Sequence, residues 1–597
     1  MDRGIGARWV LLVGFLAFIF TACNKDAVIE EKVSLKPAIE FDSESGVYVV
    51  KVGREFQITP SYKHVEGAVY SWVYDGKIIS EEPSLRYVFD APGEYFITLS
   101  VVAKAGSAEE ELRVSVAELT PPVISIFSPL QGFYFLAGQE FFIRPDVQNK
   151  EGATYRWTLD GQEVGCDSVY TFVQHELKTY RLKLTVTNAD GVGEKTITIK
   201  VVENLPAKLM LPFPSRFVKD SIRYVEAGRT LFLRAYLLMD AVDLTCQWSV
   251  NGKPVPGATK MVYGYTPSEI GESEVSLAVS FKIPRAHRVL TRNVAAMGET
   301  HAAIKFKVRC QTAAPMRPYV AGNSLNSNKV YEFVPAPGQF INNKAKAGYS
   351  GESTHEAACE FAQRRLDACN YVSLGGFGGY IVVGFDHSIE NRGGYDFSIK
   401  GNQFPGSSEP GIVWVMQDVN GNGVPDDEWY ELKGSEYGKP ETIQDYAVTY
   451  FRPAPSSETP WVDNKGKSGC IDRLGEYHPQ PFYYPLWIQE DSYTLFGTCL
   501  KSRTSQDALT GYWYNGAFGW GYADNLGDDM PSTSKDNHDA KPVANRFKIS
   551  NAVNGDGTPF NLSHIDFIKV QNGVNVKAGW LGENSTEVFQ FTDLNNQ

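Results

Sequence analysis

Residues 417–429, with the sequence QDVNGNGVPDDEW, carry oxygen-bearing side chains at alternating positions. Asp418, Asn420 and Asn422 precede Gly423, and a group of acidic residues follows. Oxygen ligands at this spacing let a chain curl around one hard cation, and the glycine permits the sharp turn that this needs. The sequence therefore predicts a structural calcium site, with these candidate ligands: Asp418, Asn420, Asn422, the Val424 carbonyl, Asp426, Asp427 and Glu428.

The match between this loop and an EF-hand is incomplete at its last position. Trp429 stands where an EF-hand has a bidentate glutamate, so Asp427 or Glu428 would have to take that place. Apolar residues at 413–416 and 429–432 indicate strands on both sides, which places the loop at the tip of a hairpin. Calcium at this tip would hold two strands together, and a metal-free Asn-Gly turn is the alternative interpretation.

The sequence lacks the common catalytic patterns. A catalytic metal needs open coordination positions in a cleft, and the nine histidines are scattered without metal-ligand spacing. Neither HExxH nor GxSxG occurs, and the adjacent Asp528 and Asp529 are more typical of a solvated acidic loop than of a glycosidase pair. We therefore predict a non-catalytic protein, and a glycan-active hydrolase is the alternative.

Two aromatic runs are the candidate ligand-binding surface: GYWYNGAFGWGYADN at 511–525 and PFYYPLW at 481–487. So many rings among glycines cannot all be buried by one strand, so we expect some to face outward as stacking platforms for a sugar or another flat ligand. A core strand with an aromatic hairpin is the alternative. The candidate ligand-binding residues are Trp513, Tyr514, Phe518, Trp520, Tyr522, Tyr483, Tyr484 and Trp487.

The first 22 residues have the pattern of a signal peptide. A short basic start precedes an apolar run at 9–20, which is too short for a membrane span of about 20 residues. The sequence FTAC that ends at Cys23 resembles a bacterial lipoprotein cleavage box, which implies cleavage before Cys23 and lipidation of its thiol. Residues 23–33 would then form a tether, and NKD at 24–26 resembles the surface-export signal of Bacteroidota lipoproteins. The resemblance implies a lipid-anchored outer-membrane protein exposed at the cell surface.

The composition limits the class of partner. A formal net charge of −13 argues against a nucleic-acid partner, which would require a basic face. The seven cysteines after Cys23 include no CxxC pair, so they form neither a zinc pattern nor a dense disulfide scaffold. The 31 tyrosines and 11 tryptophans suit β-rich modules that bind ligands by stacking.

One phrase occurs three times: VYSWVYDGK, TYRWTLDGQ and TCQWSVNGK. Its tryptophans, Trp72, Trp157 and Trp248, are 85 and 91 residues apart. Each phrase predicts a strand followed by an Asp-Gly or Asn-Gly hairpin turn, and another alternating strand comes soon afterwards. Repeats of this length with one tryptophan predict small immunoglobulin-like sandwiches with the tryptophan in the core.

These phrases resemble PKD domains, and the first copy, with PGEY at 92–95, is the most similar. The resemblance implies modules that act as spacers or interaction domains. The predicted PKD-like modules span residues 34–118 and 119–203, with a looser third immunoglobulin-like copy at 204–312.

Residues 316–597 have a sequence pattern that differs from that of the repeats. THEAACEFAQRRLDA at 354–368 predicts the one helix, because Thr354 can cap it and its apolar residues share a face. At least seven strand candidates with Gly-rich breaks surround it, which predicts a larger jelly-roll-like β-sandwich that binds the ligand. The predicted fold class is mostly β: tandem immunoglobulin-like sandwiches followed by this domain.

Long phrases in this last region resemble a family of Bacteroidota PKD-domain-containing cell-surface lipoproteins; among them are GGFGGYIVVGFD, SEPGIVWVMQDVNGNGVPDDEWYEL and DFIKVQNGVNVKAGWLGE. Some members are associated with outer-membrane uptake systems, including corrinoid uptake. The resemblance implies capture of a nutrient, a glycan or a corrinoid such as vitamin B12, for a TonB-dependent transporter. An adhesin or spacer that binds a protein partner is the second hypothesis, and a hydrolase is the third.

Overall fold

The computed structural model describes residues 35–43, 45–128, 132–138, 140–203, 209–211, 215–218, 222–237, 241–282, 300–465, 467–531 and 541–596. The predicted signal peptide, Cys23 and the tether at 23–33 lie outside these residues. The chain divides into two compact units, Met1–Thr120 and Pro121–Gln597. Within the described residues, no helix has both the length and the apolar character that a membrane span requires.

The first unit contains one module of nine strands in its described residues. Its five-stranded sheet has the order β2-β9-β8-β5-β6, and β3 pairs with β7 and β1 with β4. The strands are β1 Ala38–Glu40, β2 Val47–Lys51, β3 Glu55–Ile58, β4 Ser61–Lys63, β5 Val69–Tyr74, β6 Lys77–Ser80, β7 Leu85–Val88, β8 Gly93–Ala103 and β9 Gly106–Ala117.

The second unit begins with two modules that repeat this topology. The first of them consists of β10 Val123–Ser125, β11 Tyr134–Leu136, β12 Phe141–Ile143, β13 Asp146–Gln148, β14 Thr154–Leu159, β15 Gln162–Gly165, β16 Tyr170–Phe172, β17 Thr179–Asn188 and β18 Gly191–Val202. The other consists of β19 Leu209–Met210, β20 Ile222–Glu226, β21 Leu231–Arg234, β22 Tyr236–Leu237, β23 Val242–Val250, β24 Lys253–Pro254, β25 Val262–Tyr265, β26 Gly271–Lys282 and β27 Thr300–Gln311. Their five-stranded sheets have the orders β11-β18-β17-β14-β15 and β20-β27-β26-β23-β24, so the loosest sequence copy has the same strand order as the other two.

The repeated tryptophan is the centre of each module's core. Trp72, Trp157 and Trp248 are all 0% exposed. Each indole N–H donates to a backbone carbonyl 2.8–2.9 Å away, which satisfies the one polar atom of a buried ring. In the first module the turn after the tryptophan has positive φ at both Asp75 and Gly76, 48° and 71°, as a two-residue hairpin turn requires. The predicted core role of these tryptophans is confirmed.

The remainder of the second unit has larger sheets and two α-helices in its described residues, α1 Lys344–Ala347 and α2 His355–Asp367. A six-stranded sheet has the order β28-β30-β42-β32-β33-β41, a four-stranded sheet β36-β35-β34-β37, and a three-stranded sheet β40-β31-β44. The strands are β28 Lys329–Val334, β29 Val372–Ser373, β30 Tyr380–Glu390, β31 Phe397–Gly401, β32 Gly411–Met416, β33 Trp429–Leu432, β34 Ile443–Phe451, β35 Thr459–Asp463, β36 Ser468–Ile471, β37 Ser492–Cys499, β38 Thr504–Gln506, β39 Trp513–Asn515, β40 Val543–Phe547, β41 Ala552–Val553, β42 His564–Asn572, β43 Glu587–Val588 and β44 Gln590–Asp593. Short 3₁₀ turns lie at Ile549–Asn551 and Gly579–Leu581.

The predicted helix is α2, and the mostly-β fold with tandem sandwiches is confirmed. The side-chain oxygen of Thr354 accepts the Ala357 N–H at 3.2 Å, which caps the helix, and its apolar face is buried. The sequence prediction missed α1, because four residues are too few to show a helical period.

The third module packs against the sheets that follow it. Arg234 forms an ion pair with Asp445 at 2.7 Å. The Tyr236 ring stacks on Phe496 with centroids 4.9 Å apart. Residues 316–597 are therefore in direct contact with the third module through charged and aromatic side chains, and an isolated fragment would expose that surface.

Candidate functional site

The predicted cation loop connects β32 and β33, which pair antiparallel with Met416 opposite Trp429. The predicted hairpin is therefore present. The start of the loop is covered, whereas Gly421 and Asn422 are exposed: the Gln311 side-chain amide and the Ala314 N–H both donate to the Val419 carbonyl, at 3.0 and 2.9 Å. The loop thus lies against the end of β27 and the segment that follows it.

The alternating side chains of the loop fold it inward. Asp418 accepts the Asn422 N–H at 3.1 Å and the Gly423 N–H at 2.9 Å, one on each carboxylate oxygen. Asn420 Oδ1 accepts the Asn422 N–H at 2.9 Å, and Asn422 Oδ1 accepts the Val424 N–H at 2.9 Å. Each accepting oxygen has a second lone pair that can face a cation.

Two consecutive acids close the loop. The Asp426 carboxylate accepts from the side-chain amides of Asn420 and Asn422, at 2.8 and 3.0 Å. Asp427 Oδ2 accepts the Val419 N–H at 2.9 Å, whereas Asp427 Oδ1 is buried and has no hydrogen-bond partner among the described residues. A buried carboxylate oxygen without a donor is costly, and a cation would compensate for it.

Burial and repulsion between neighbouring carboxylates raise the pKa values of acids in this loop. Burial raises the pKa of Asp418, and backbone N–H donors oppose that rise. Burial also raises the pKa of Asp427 well above its usual range, and the charges of Asp426 and Asp418 raise it further. The donor set, carboxylates and amide oxygens with the Val424 carbonyl close by, is the set that calcium prefers. These residues fit a calcium ion.

Glu428 has different charged neighbours from the other acids of this set. Burial raises its pKa to about 7, and the charges of Arg223 and Arg234, on the third module, oppose that rise. All three side chains line one cavity of about 90 Å³ between the module and the sheets. The charged neighbours of Glu428 are therefore these two arginines, and its assignment as a calcium ligand stays a prediction.

Five of the eight predicted ligand-binding rings are core residues. Trp487 packs against Phe333 and Tyr349, with centroid distances of 5.6 and 6.4 Å. Elements distant in the sequence cover these rings, so they cannot offer an open face to a ligand, and their assignment as stacking platforms is wrong. The buried rings are Tyr483, Tyr484, Trp487, Phe518 and Tyr522, each at most 3% exposed.

The other three predicted rings reach the surface to different degrees. Tyr514 is 42% exposed and Trp520 is 36% exposed, whereas Trp513 is half-buried. Trp520 lines an open groove of about 270 Å³, whose wall also includes residues of β40 and of the segments before β31 and after β33. Its polar and aromatic lining residues include Tyr395, Lys433, Trp520, Asp528, Asp529, Arg546 and Lys548.

Sequence reasoning missed every groove residue except Trp520. Tyr395, Arg546 and Lys548 are far from it in the sequence, and only the sheet order brings β40 and β31 together. A weak signal was available: in RFK at 546–548 two cations flank a phenylalanine, which places them on one face of a strand.

A second acidic cluster is buried in the same region. One carboxylate oxygen of each of Glu409, Asp524 and Glu587 lies within 4.8 Å of the others. Burial raises the pKa of all three, that of Glu587 to about 7. The Ser585 hydroxyl donates to Glu587 at 2.9 Å, and the Glu587 N–H donates to Asp524 at 2.9 Å. The cluster is thus held by internal hydrogen bonds.

Raising the pH is expected to destabilise the protein through buried carboxyl groups such as Glu583. Burial raises the pKa of Glu583 to about 8, far above its value in an unfolded chain. The folded state therefore keeps a proton that the unfolded state loses, so stability falls as pH rises from about 4.5 to about 8, by at most about 1.4 kcal/mol per pH unit for one group. Urea unfolding at pH 5, 7 and 9 measures this slope. Glu583→Gln, which keeps an acceptor for the Gln339 N–H, should reduce it; an identical slope in both proteins would contradict the assignment.

A comparison with known protein families finds PKD-like domains in the first two modules of the chain. Residues 36–103 and 121–188 match the PKD-like domain family. The predicted PKD resemblance is confirmed for these two modules. No curated protein matches the chain in sequence.

Solved structures of tandem sandwich modules also align with parts of the chain. The fibronectin(III)-like modules of Clostridium thermocellum CbhA are 15% identical over 28% of this chain and 93% of theirs, with a TM-score of 0.16. The three N-terminal domains of the bacteriophage RB49 highly immunogenic outer capsid protein are 13% identical over 46% of this chain and 99% of theirs, with a TM-score of 0.23. Extracellular domains 3–5 of Drosophila OTK are 14% identical over 46% of this chain and all of theirs, with a TM-score of 0.16.

Proposed function

We propose that this chain is a surface-exposed outer-membrane lipoprotein that captures an extracellular nutrient for a TonB-dependent uptake system and has no catalytic activity. Lipidation at Cys23 would anchor it, and the PKD-like modules would act as spacers between the membrane and the binding region. The nutrient is a glycan or a corrinoid such as vitamin B12.

One observation carries the binding role: the open groove beside the exposed Trp520. A large ring left partly exposed in a concave site is available for contact with a ligand, whereas most of the other aromatic residues of this region pack into its core. Two adjacent carboxylates, Asp528 and Asp529, line the groove, but Asp529 is buried and accepts from the Gly521 N–H and the Asn545 amide, so the described lining favours binding over turnover.

Ligand screening tests this proposal on the full chain, with Cys23→Ala to prevent anchoring. Neutral and acidic glycans and cyanocobalamin are the probes. Trp520→Ala is expected to weaken binding by about 1–3 kcal/mol, as for an aromatic anchor, whereas Tyr514→Ala, an equally exposed ring outside the groove, should bind normally. Hydrolysis of a bound probe would favour the hydrolase. Failure of every probe to bind would favour the second candidate, an adhesin or spacer, which the two PKD-like modules also suit.

We also propose that the loop formed by Asp418, Asn420, Asn422, Asp426 and Asp427 binds calcium. The orphaned Asp427 Oδ1 in a buried acidic loop is the observation that supports this. Calcium would offset the charge of three acids and, because the Val419 carbonyl accepts from Gln311 and Ala314, would stiffen the contact between the third module and the sheets.

Chelation of calcium is expected to lower the melting temperature of the full chain. Extracellular calcium sites bind with dissociation constants of roughly 10⁻⁴–10⁻³ M, so calcium at about ten times that constant adds about 1.4 kcal/mol. Differential scanning calorimetry with calcium and with EDTA measures the shift. Asp418→Ala should abolish it, and Glu428→Gln, which alters an acid outside the proposed ligand set, should retain it. Superimposable melting curves with and without chelator would contradict calcium binding and support the metal-free turn.

A further inference from the structure

Arg546 and Lys548 stand side by side at the groove. They are two residues apart at the end of β40, so their side chains share a face of the strand. The Arg546 guanidinium lies 4.4 Å from the centroid of the Tyr395 ring, and the Lys548 ammonium lies 5.1 Å from it. The aromatic ring attracts both cations. Arg546 Nε also donates to the Asp529 carbonyl at 3.0 Å, which fixes the guanidinium further.

The groove is locally positive on an acidic protein. Its lining includes three cations, Lys433, Arg546 and Lys548, and two carboxylates, Asp528 and Asp529, whereas the whole chain carries a formal charge of −13. Asp529 is buried, and its oxygens accept from the Gly521 N–H at 2.8 Å and from the Asn545 amide at 3.1 Å. The side of the groove that carries Arg546 and Lys548 therefore favours an anion.

The backbone fixes Trp520 in place. Its carbonyl accepts the Ser435 N–H at 2.9 Å. The next residue, Gly521, has φ +88°, and a Cβ there would lie 2.5 Å from the Gly434 Cα, so two chain segments pass too closely for any side chain. The backbone that carries the ring is therefore ordered before the ligand arrives, which lowers the entropy cost of binding.

We propose that the groove binds a glycan that contains a uronic acid, with one sugar ring on Trp520 and its carboxylate on Arg546 and Lys548. This inference rests on the proposed capture function and names its ligand class. A planar guanidinium pairs with a planar carboxylate through two parallel hydrogen bonds. The two carboxylates of the groove limit its positive charge, which suits a singly charged sugar better than a densely sulfated one. Its volume, about 270 Å³, lies below the range of about 300–1,000 Å³ for sites that enclose a drug-sized ligand, which favours a short stretch of glycan over an enclosed corrinoid.

Isothermal titration calorimetry on the full Cys23→Ala chain tests the assignment with four probes: oligogalacturonate, keratan sulfate, dextran and cyanocobalamin. Oligogalacturonate is expected to bind, dextran to bind much more weakly, and added salt to lower the oligogalacturonate affinity. Arg546→Gln and Lys548→Gln should each weaken oligogalacturonate binding by about tenfold. Arg546→Lys, which keeps the charge but loses the planar fork, should fall between wild type and Arg546→Gln.

Arg503→Gln is the matched control. Arg503 also lies over an aromatic ring, 4.4 Å from the Phe518 centroid, but outside the groove. Wild-type affinity in Arg503→Gln together with the loss in Arg546→Gln supports the proposal, provided that both variants melt near the wild-type temperature. If Arg546→Gln unfolds, the proposal is tested instead by the oligogalacturonate affinity of Lys548→Gln and by the salt dependence of oligogalacturonate binding.

Each other result overturns the inference in a distinguishable way. Equal affinity for dextran and oligogalacturonate, with no effect of Arg546→Gln, would show that the bound glycan need not be acidic. That result would remain compatible with capture of a glycan. Tighter binding of keratan sulfate, which is sulfated and has no uronic acid, than of oligogalacturonate would overturn the carboxylate and indicate a sulfate in its place. Binding of cyanocobalamin alone would contradict a glycan ligand but remain compatible with nutrient capture. Binding of no probe would contradict both the glycan ligand and nutrient capture.

Discussion

Trp487→Ala is expected to lower the free energy of unfolding by about 3–5 kcal/mol, the typical cost of deleting a buried aromatic ring. Trp487 is 3% exposed and packs against Phe333 of β28 and Tyr349. The truncation would leave a cavity beneath α2, whose buried residues belong to the same core. Urea denaturation of the full chain, followed by far-UV circular dichroism, measures the loss in the transition of the second unit.

Two variants make this prediction specific. The Trp487 indole N–H is buried and has no acceptor among the described residues, so Trp487→Phe, which keeps a ring and removes that N–H, should cost much less than Trp487→Ala. Trp520→Ala, at a ring 36% exposed, should change stability by less than about 1 kcal/mol. Similar losses for Trp487→Ala and Trp520→Ala would mean that the two rings have the same environment, contrary to the structure.

The two tryptophans show where sequence reasoning reaches its limit. Both stand in aromatic runs with similar composition, and nothing within either run distinguishes a core ring from an exposed one. The difference is tertiary: β28 brings Phe333 over Trp487, whereas the turn at Gly521 leaves Trp520 at a groove. Burial by elements distant in the sequence has no local signal.

Features that depend on neighbours in the sequence were predictable. The three tryptophan phrases fix strands and hairpin turns within a few residues, and α2 has both its cap at Thr354 and a full apolar face. The hairpin that carries the predicted cation loop was recognised for the same reason, since its pattern is local. The charged neighbours of Glu428 were not predictable in this way, because Arg223 and Arg234 belong to the third module and no pattern around residue 428 reveals them.

The cation loop also depends on a buried residue of the central strand β42, Asp566. Its Oδ1 accepts from the Ser388 hydroxyl at 2.6 Å and from Arg317 Nη2 at 2.9 Å, and its Oδ2 accepts the Asp418 N–H at 2.8 Å. Asp566 is 2% exposed. One carboxylate thus joins the first residue of the loop to β30 and to the segment after the third module.

Asp566→Ala is expected to lower the free energy of unfolding by about 2–6 kcal/mol. It leaves the Asp418 N–H and the Ser388 hydroxyl buried without an acceptor, and each such group costs about 1–3 kcal/mol. Arg317 contributes less, because 41% of its side chain is exposed and water can solvate it. The matched control is Glu390→Ala, which breaks the exposed ion pair with Arg392 and should cost no more than about 1 kcal/mol. Because Asp566 orients Asp418, the calcium-dependent shift in melting temperature should also shrink in Asp566→Ala and persist in Glu390→Ala. Equal stability losses in the two variants would show that the Asp566 hydrogen bonds contribute no more than a surface ion pair.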